Sequence, residues 1–172
     1  MTNSERDDLL DLLTKHRELF RFTVQGLSDE AARTTPTVSA LSLGGLIKHV
    51  TLVERNWADF VVNGAANQPD WANVDWSNPP PEVVAFQQAF VMREDEALAD
   101  LLETYAEVAA ATDELVRTVD LDAAHPLPAA PWSPATTWTA RRAIIHIALE
   151  TAQHAGHADI IRETIDGQKS MG

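Results

Sequence analysis

The chain has 172 residues, of which 45% are hydrophobic and 23% charged, a composition that suits one folded domain over residues 1–172 and differs from that of disordered chains. Thirteen basic against 26 acidic residues leave a formal net charge of −13, so most of the surface repels a phosphate backbone and nucleic acid is excluded as a partner. Cysteine is absent, which rules out disulfides, thiolate ligands and a cysteine nucleophile; any metal must be held by His, Asp and Glu.

In chain order, Leu9, Leu10, Leu12, Leu13, His16, Leu19, Phe20 and Thr23 keep the spacing of an amphipathic helix, predicted near residues 4–25 with Ser4 as N-cap and Gly26 as stop. Leu27 to Ala32 reads as a short capped turn of helix, followed by a Thr/Pro/Ser loop through Ser39. Ser42 then caps a second long helix carrying Leu46, Ile47, His49, Val50, Val53, Glu54, Trp57, Phe60 and Val61 and ending by Gly64. From Ala65 to Pro81 the tryptophans, Asn, Asp and consecutive prolines predict an irregular but ordered loop. A third helical stretch is expected from about Glu82 to Val119, with Leu98, Leu101, Leu102, Tyr105, Val108, Thr112, Leu115 and Val116 on its buried stripe and a break near Met92 to Asp95. Pro126, Pro128, Pro131 and Pro134 make the next connection irregular around Trp132 and Trp138. Thr137 or Thr139 opens the final helix, which runs to Asp166 and stops at Gly167. No alternating strand pattern is visible. The expected fold is therefore all-α, a four-helix bundle with long crossover loops. No apolar run approaches the roughly 20 residues of a membrane helix, and the acidic, polar stretch Met1 to Asp11 is unlike a secretion signal, so a cytoplasmic location is expected.

The final helix carries His146, Glu150, His154 and His157. At about 100° and 1.5 Å per residue these four project from one face, where they interrupt a stripe read as Ile145, Leu149, Ile160 and Ile161. A buried charge needs a partner, and a divalent metal accounts for imidazoles and a carboxylate at one-turn spacing. His146 and His154 stand about 12 Å apart along the axis, too far for one ion. The helix can supply only a neighbouring pair: His146 with Glu150, Glu150 with His154, or His154 with His157. A further ligand must come from another helix, and His49 is the natural candidate. His16 and His125 read as ordinary surface or hydrogen-bonded histidines. Spacing alone does not choose among zinc, nickel, iron and manganese. Arg55, Arg141 and Arg142 have the guanidinium geometry to bind a ligand carboxylate, against a simpler reading as surface ion pairs. Trp57 reads as core packing, whereas Trp71, Trp76, Trp132 and Trp138 either roof a pocket or pin loops to the bundle.

The stretch Leu43-Gly44-Gly45-Leu46-Ile47-Lys48-His49-Val50, with Glu54 and Trp57 after it, resembles the second helix of the DinB-like superfamily. The stretch Ile145-His146-Ile147-Ala148-Leu149-Glu150-Thr151-Ala152-Gln153-His154-Ala155-Gly156-His157-Ala158-Asp159-Ile160-Ile161-Arg162-Glu163, closing on Asp166-Gly167, resembles its last helix. The likeness is strongest to the actinobacterial branch related to mycothiol-dependent maleylpyruvate isomerase and mycothiol S-transferases. It implies a four-helix bundle of DinB-like type with an open metal site whose ligands match His49, Glu150 and His154. His146, His157 and Arg142 then surround the ligands, able to orient them or move a proton. It further implies a divalent cofactor, zinc above all with Ni2+, Fe2+ and Mn2+ left open. The implied activity is transfer or isomerisation of a small electrophile with mycothiol as thiol cosubstrate, in a homodimer. Metal-assisted hydrolysis and a non-catalytic, ligand-binding stress protein are the alternatives.

Overall fold

The computed structural model describes residues 4–170. Helix α1 spans Glu5–Phe22 and opens on a reciprocal cap, in which the Ser4 hydroxyl accepts from the Asp7 amide and the Asp7 carboxylate accepts from the Ser4 amide. Its buried residues Leu9, Leu13, Arg17 and Phe20 recur every three or four positions, the interval that keeps side chains on one face. The short α2, Asp29–Arg33, is capped by Ser28. Helix α3, Leu43–Asn63, starts where Ser42 accepts from the Gly45 amide and stops at Gly64, whose φ of 64° suits a residue without Cβ. Short 3-10 turns at Gly64–Asn67 and Trp71–Asn73 lead to α4, Pro81–Gln88, which begins on a proline that needs no donor there. Helix α5, Leu98–Thr118, follows a non-helical Phe90–Ala97 that contains the expected break. Helix α6, Ala140–Asp166, is capped by Thr139 and ends on left-handed Gly167. Helix α6 packs on α1 and α3, and α3 packs on α5, so the four long helices form the expected bundle.

One expectation needs correction. Ala124–Leu127 (β1) and Thr136–Thr139 (β2) pair as an antiparallel ribbon with His125 opposite Trp138 and Pro126 opposite Thr137. Proline is tolerated because both strands of a two-stranded ribbon are edges with a free side. The run Thr136-Thr137-Trp138-Thr139 has the β-branched and aromatic composition of a strand, a signal that the surrounding prolines obscure.

A second correction concerns the apolar stripe of α6. Ile161 is buried, but Ile145, Leu149 and Ile160 are exposed, Leu149 to 60%. The face that enters the bundle is Ala140, Ala143, Ile144, Ile147, Ala148, Thr151, Ala155, Ala158 and Ile161, rich in small residues that let α1 and α3 come close. At about 100° per residue the centres of the exposed and buried stripes lie on nearly opposite sides of the helix. The histidine face runs along the border between them, with His154 turned furthest inward.

Two apolar clusters fill the bundle, one around Phe20, Leu46, Ile47 and Tyr105 and the other around Leu13, Phe60, Val116, Ile144 and Ile147. An ion pair is also buried. Arg17 donates to both oxygens of fully buried Glu54, at 2.5 and 3.3 Å, and to Asp113 at 2.7 Å, so one guanidinium joins α1, α3 and α5. At the other end of α1, Arg162 donates to the carbonyls of Thr23 and Gln25, both at 2.9 Å, and to Asp166 and Gln168, which fixes the end of α6. Arg17→Met should destabilise the fold by about 3–5 kcal/mol because it strands the Glu54 carboxylate, whereas pairing it with Glu54→Leu should recover most of that loss. Urea denaturation of the single and double variants reads the difference.

Candidate metal centre

His49, Glu150 and His154 each offer one donor atom, and these three atoms lie within 4.8 Å of one another. Of the three pairs that spacing leaves open on α6, the structure brings Glu150 and His154 together with His49. His49 reaches them from the second turn of α3, with its ring 4.8 Å from that of His154. Its position depends on the start of its own helix. A Cβ on Gly45 would stand 1.9 Å from the Phe90 carbonyl oxygen, and one on Gly44 would stand 2.2 Å from the Met92 sulfur. The glycine pair thus admits the Phe90–Met92 segment against α3, and Phe90 stacks on the His49 imidazole at 3.8 Å and 20°.

The donor set has the chemistry of a divalent site. The Nδ1 of His49 is buried without a hydrogen-bond partner among the described residues, and a buried polar atom left unpaired is unfavourable. Burial, with a smaller contribution from His154, pushes the His49 pKa down to about 4, so the ring is neutral and able to coordinate at neutral pH. His154 is lowered by burial and then by His157. Burial also raises the pKa of Glu150, whose ion-pair neighbours among the described residues are His146 and His154, with no Lys or Arg. A cation placed among these atoms would favour the carboxylate over its neutral form. Two nitrogens and one oxygen fit zinc as well as other borderline divalent ions.

The remaining candidates surround this centre. His157 lies with its Nδ1 3.4 Å from that of His154. His146 Nε2 lies 3.5 Å from Glu150, and the His146 ring meets Trp57 and Trp138 edge-on. Its pKa is lowered by burial and by the charge of Arg142. Arg142 itself lies over the Trp138 ring at 4.4 Å. Arg141 pairs with Glu5 and Asp122, so the ion-pair reading holds for it. Arg55 is exposed and has no hydrogen-bond or ion-pair partner among the described residues; it lines the cavity over the metal centre.

That cavity, of about 510 Å3, opens on His49 and Glu150 and is bounded by Asn56, Asn67, Gln68, Trp57, Trp71 and Phe86. Trp57 is thus half-buried against both core and cavity, not solely a core residue. Trp71, Trp132 and Trp138 roof an adjoining space, while Trp76 is exposed outside it. Sequence reading misses Phe86 and Phe90, whose approach to His49 depends on packing between distant segments. The adjacent glycines in the first turn of α3 are the local signal of that approach. No helix among the described residues is long and apolar enough to cross a membrane.

A family model described as mycothiol S-transferase matches residues 8–167, nearly the whole chain. The crystal structure of a conserved protein from Enterococcus faecalis is similar with a TM-score of 0.64, covering 97% of this chain and 100% of that one at 17% identity, a likeness of fold. No curated protein matches the chain.

Glu150→Ala, His49→Ala and His154→Ala should each reduce Zn2+ affinity by at least about a hundredfold, whereas His146→Ala should stay within about tenfold of the parent. Calorimetric titration with Zn2+ measures both. Loss of binding in the His146 variant with retention in the Glu150 variant would place the ion one turn earlier on α6.

Proposed function

Because this chain belongs to the mycothiol S-transferase family, we propose that it is a metal-dependent transferase that joins a low-molecular-weight thiol, mycothiol, to a small electrophile. The observation that carries this reading is the set of three donors, His49, Glu150 and His154, beside an accessible cavity in a chain that has no cysteine. Three protein ligands leave room for an exogenous one, as in catalytic and not structural sites. The thiol must come from outside the chain, since none is built in.

A divalent ion held there, with zinc favoured by the donor set, would supply positive charge that lowers the pKa of a thiol brought to it. The protein's own part is to hold and to orient. His49 is fixed between Phe90 and His154 as a neutral imidazole, and Glu150 contributes the negative charge. His146, which lines the cavity and has its pKa lowered by burial and then by Arg142, would accept the thiol proton and pass it to solvent. The thiolate sulfur then bonds to the electrophilic carbon, and the displaced group leaves with its electron pair. Arg55, Asn56, Asn67 and Gln68 offer polar contacts for the rest of the thiol. Residues 1–172 act as a single cytoplasmic domain in this reading.

The same proposal includes a homodimer. Ile145, Leu149 and Ile160 make an exposed stripe along α6, and the surface at Gly156 between them is open, so a second copy can approach closely. Leu149→Glu should convert a dimer to a monomer in light scattering; an unchanged mass would place the contact elsewhere.

Activity should require both metal and thiol. Mycothiol consumption with a panel of electrophiles should disappear after chelation, return with Zn2+, and fall at least about a hundredfold in Glu150→Ala. Turnover that persists without any thiol would favour metal-assisted hydrolysis instead.

A further inference from the structure

Beside the cavity over the metal centre lies a second one of about 520 Å3, and the two share Trp57, Gln68, Pro69, Trp71, Trp132 and His146 as walls. The second is closed by Leu127, Pro128 and Trp138. No Lys or Arg lines it, and its one carboxylate is Asp70. It therefore offers large flat apolar surfaces and no charge to receive an anion.

The indoles here are not explained by folding. Trp71 and Trp132 belong to neither of the two apolar clusters of the bundle, and Trp132 is 66% exposed. Both stand on irregular segments, the first in a 3-10 turn and the second in the loop between β1 and β2. They meet each other at 5.4 Å with their planes 58° apart, so much of the Trp132 face is uncovered. Rings connect this place to the donors: Trp71 meets Phe86 edge-on at 5.3 Å, and Phe86 meets His49 at 5.6 Å. An exposed indole at the mouth of a cavity gives a ligand ring a rigid stacking surface with little loss of side-chain freedom.

We propose that this second cavity is the electrophile subsite, and that its occupant is an uncharged, planar, π-conjugated molecule that stacks on Trp132 and Trp71 with its reactive carbon directed past His146 toward the metal centre. The assignment rests on the thiol-transfer reading and adds the class of acceptor. For a ring bearing a halide the step balances as follows: the thiol loses its proton, its sulfur bonds to the ring carbon, and halide leaves with the electron pair of the broken bond.

The binding half is tested without chemistry. 1,3-Dinitrobenzene is flat, uncharged and has no leaving group. In calorimetric titration of the zinc-loaded protein it should bind saturably at one site. Trp132→Ala should weaken it at least about tenfold, the scale of one lost stacking contact, and Trp132→Phe should stay within about threefold. In the metal-free protein, where no ion can take the carboxylate, 3,5-dinitrobenzoate should bind at least about tenfold more weakly than 1,3-dinitrobenzene, because Asp70 repels it and no Lys or Arg lines the cavity to receive it. Absence of saturable binding, an unchanged affinity in Trp132→Ala, or equal binding of the benzoate would overturn the assignment. The second arm supplies 1-chloro-2,4-dinitrobenzene and mycothiol and follows the S-aryl product. Ring binding with no product from any acceptor would defeat thiol transfer but leave the subsite standing. Product from other acceptors with no ring binding would do the reverse.

Discussion

Inside the bundle one arginine holds three helices. The guanidinium of Arg17 faces the Glu54 carboxylate at 2.5 Å, fully out of water, and extends to Asp113 on α5. Such a pair is poor evidence for net stability, since desolvating both charges offsets most of their attraction. Its effect is geometric: any slip of α1 along α3 leaves one charge unpaired in an apolar interior, and that penalty restricts the register of the bundle. Glu54 stands little more than one turn beyond His49 on the same helix. The register that satisfies the ion pair is therefore the one that faces His49 toward α6.

The long helices were legible in the sequence because their ends are marked by chemistry independent of packing. Ser42 and Thr139 satisfy free amides at the starts, and Gly64 and Gly167 relieve the backbone at the stops. What the sequence concealed depends on neighbours. Nothing near Arg17 in the sequence marks it as buried, because its partner Glu54 lies 37 positions away. The buried side of α6 was misread because bulky Ile145, Leu149 and Ile160 outweigh a row of alanines in any hydrophobicity pattern, whereas close helix packing prefers the alanines. For the site, spacing reduced the choices on α6 to adjacent pairs, and the resemblance selected Glu150 with His154. Of the aromatic surroundings, the tryptophan roof was one of two readings the sequence left open, whereas Phe86 and Phe90 were beyond reach, since Phe90 meets His49 only because Gly45 admits its carbonyl and Gly44 the Met92 side chain.

The chain sets strong acidity outside against near neutrality at the site. With a formal charge of −13, the surface provides a negative field, yet the described donors are two neutral imidazoles and one carboxylate with its pKa raised by burial. Such a field draws divalent cations toward the protein and disfavours anionic ligands. Arg55, without an ion-pair partner among the described residues, is a local exception on the cavity wall.

Thr139 has two duties that join the aromatic roof to the metal centre. It is the last residue of β2, opposite Ala124, and its hydroxyl accepts from the Arg142 amide to start α6. The Ala140 and Arg141 amides are also tied back, to the carbonyls of Ala123 and Leu121. Trp138 and the donors Glu150 and His154 are consequently on one rigid piece with no hinge between. A single residue inserted at this junction would rotate the donors by about 100° about the helix axis and carry them off the site. The tip of the ribbon, between Pro128 and Ala135, lies outside this junction, so a change of length there alters the aromatic roof while Glu150 and His154 keep their place.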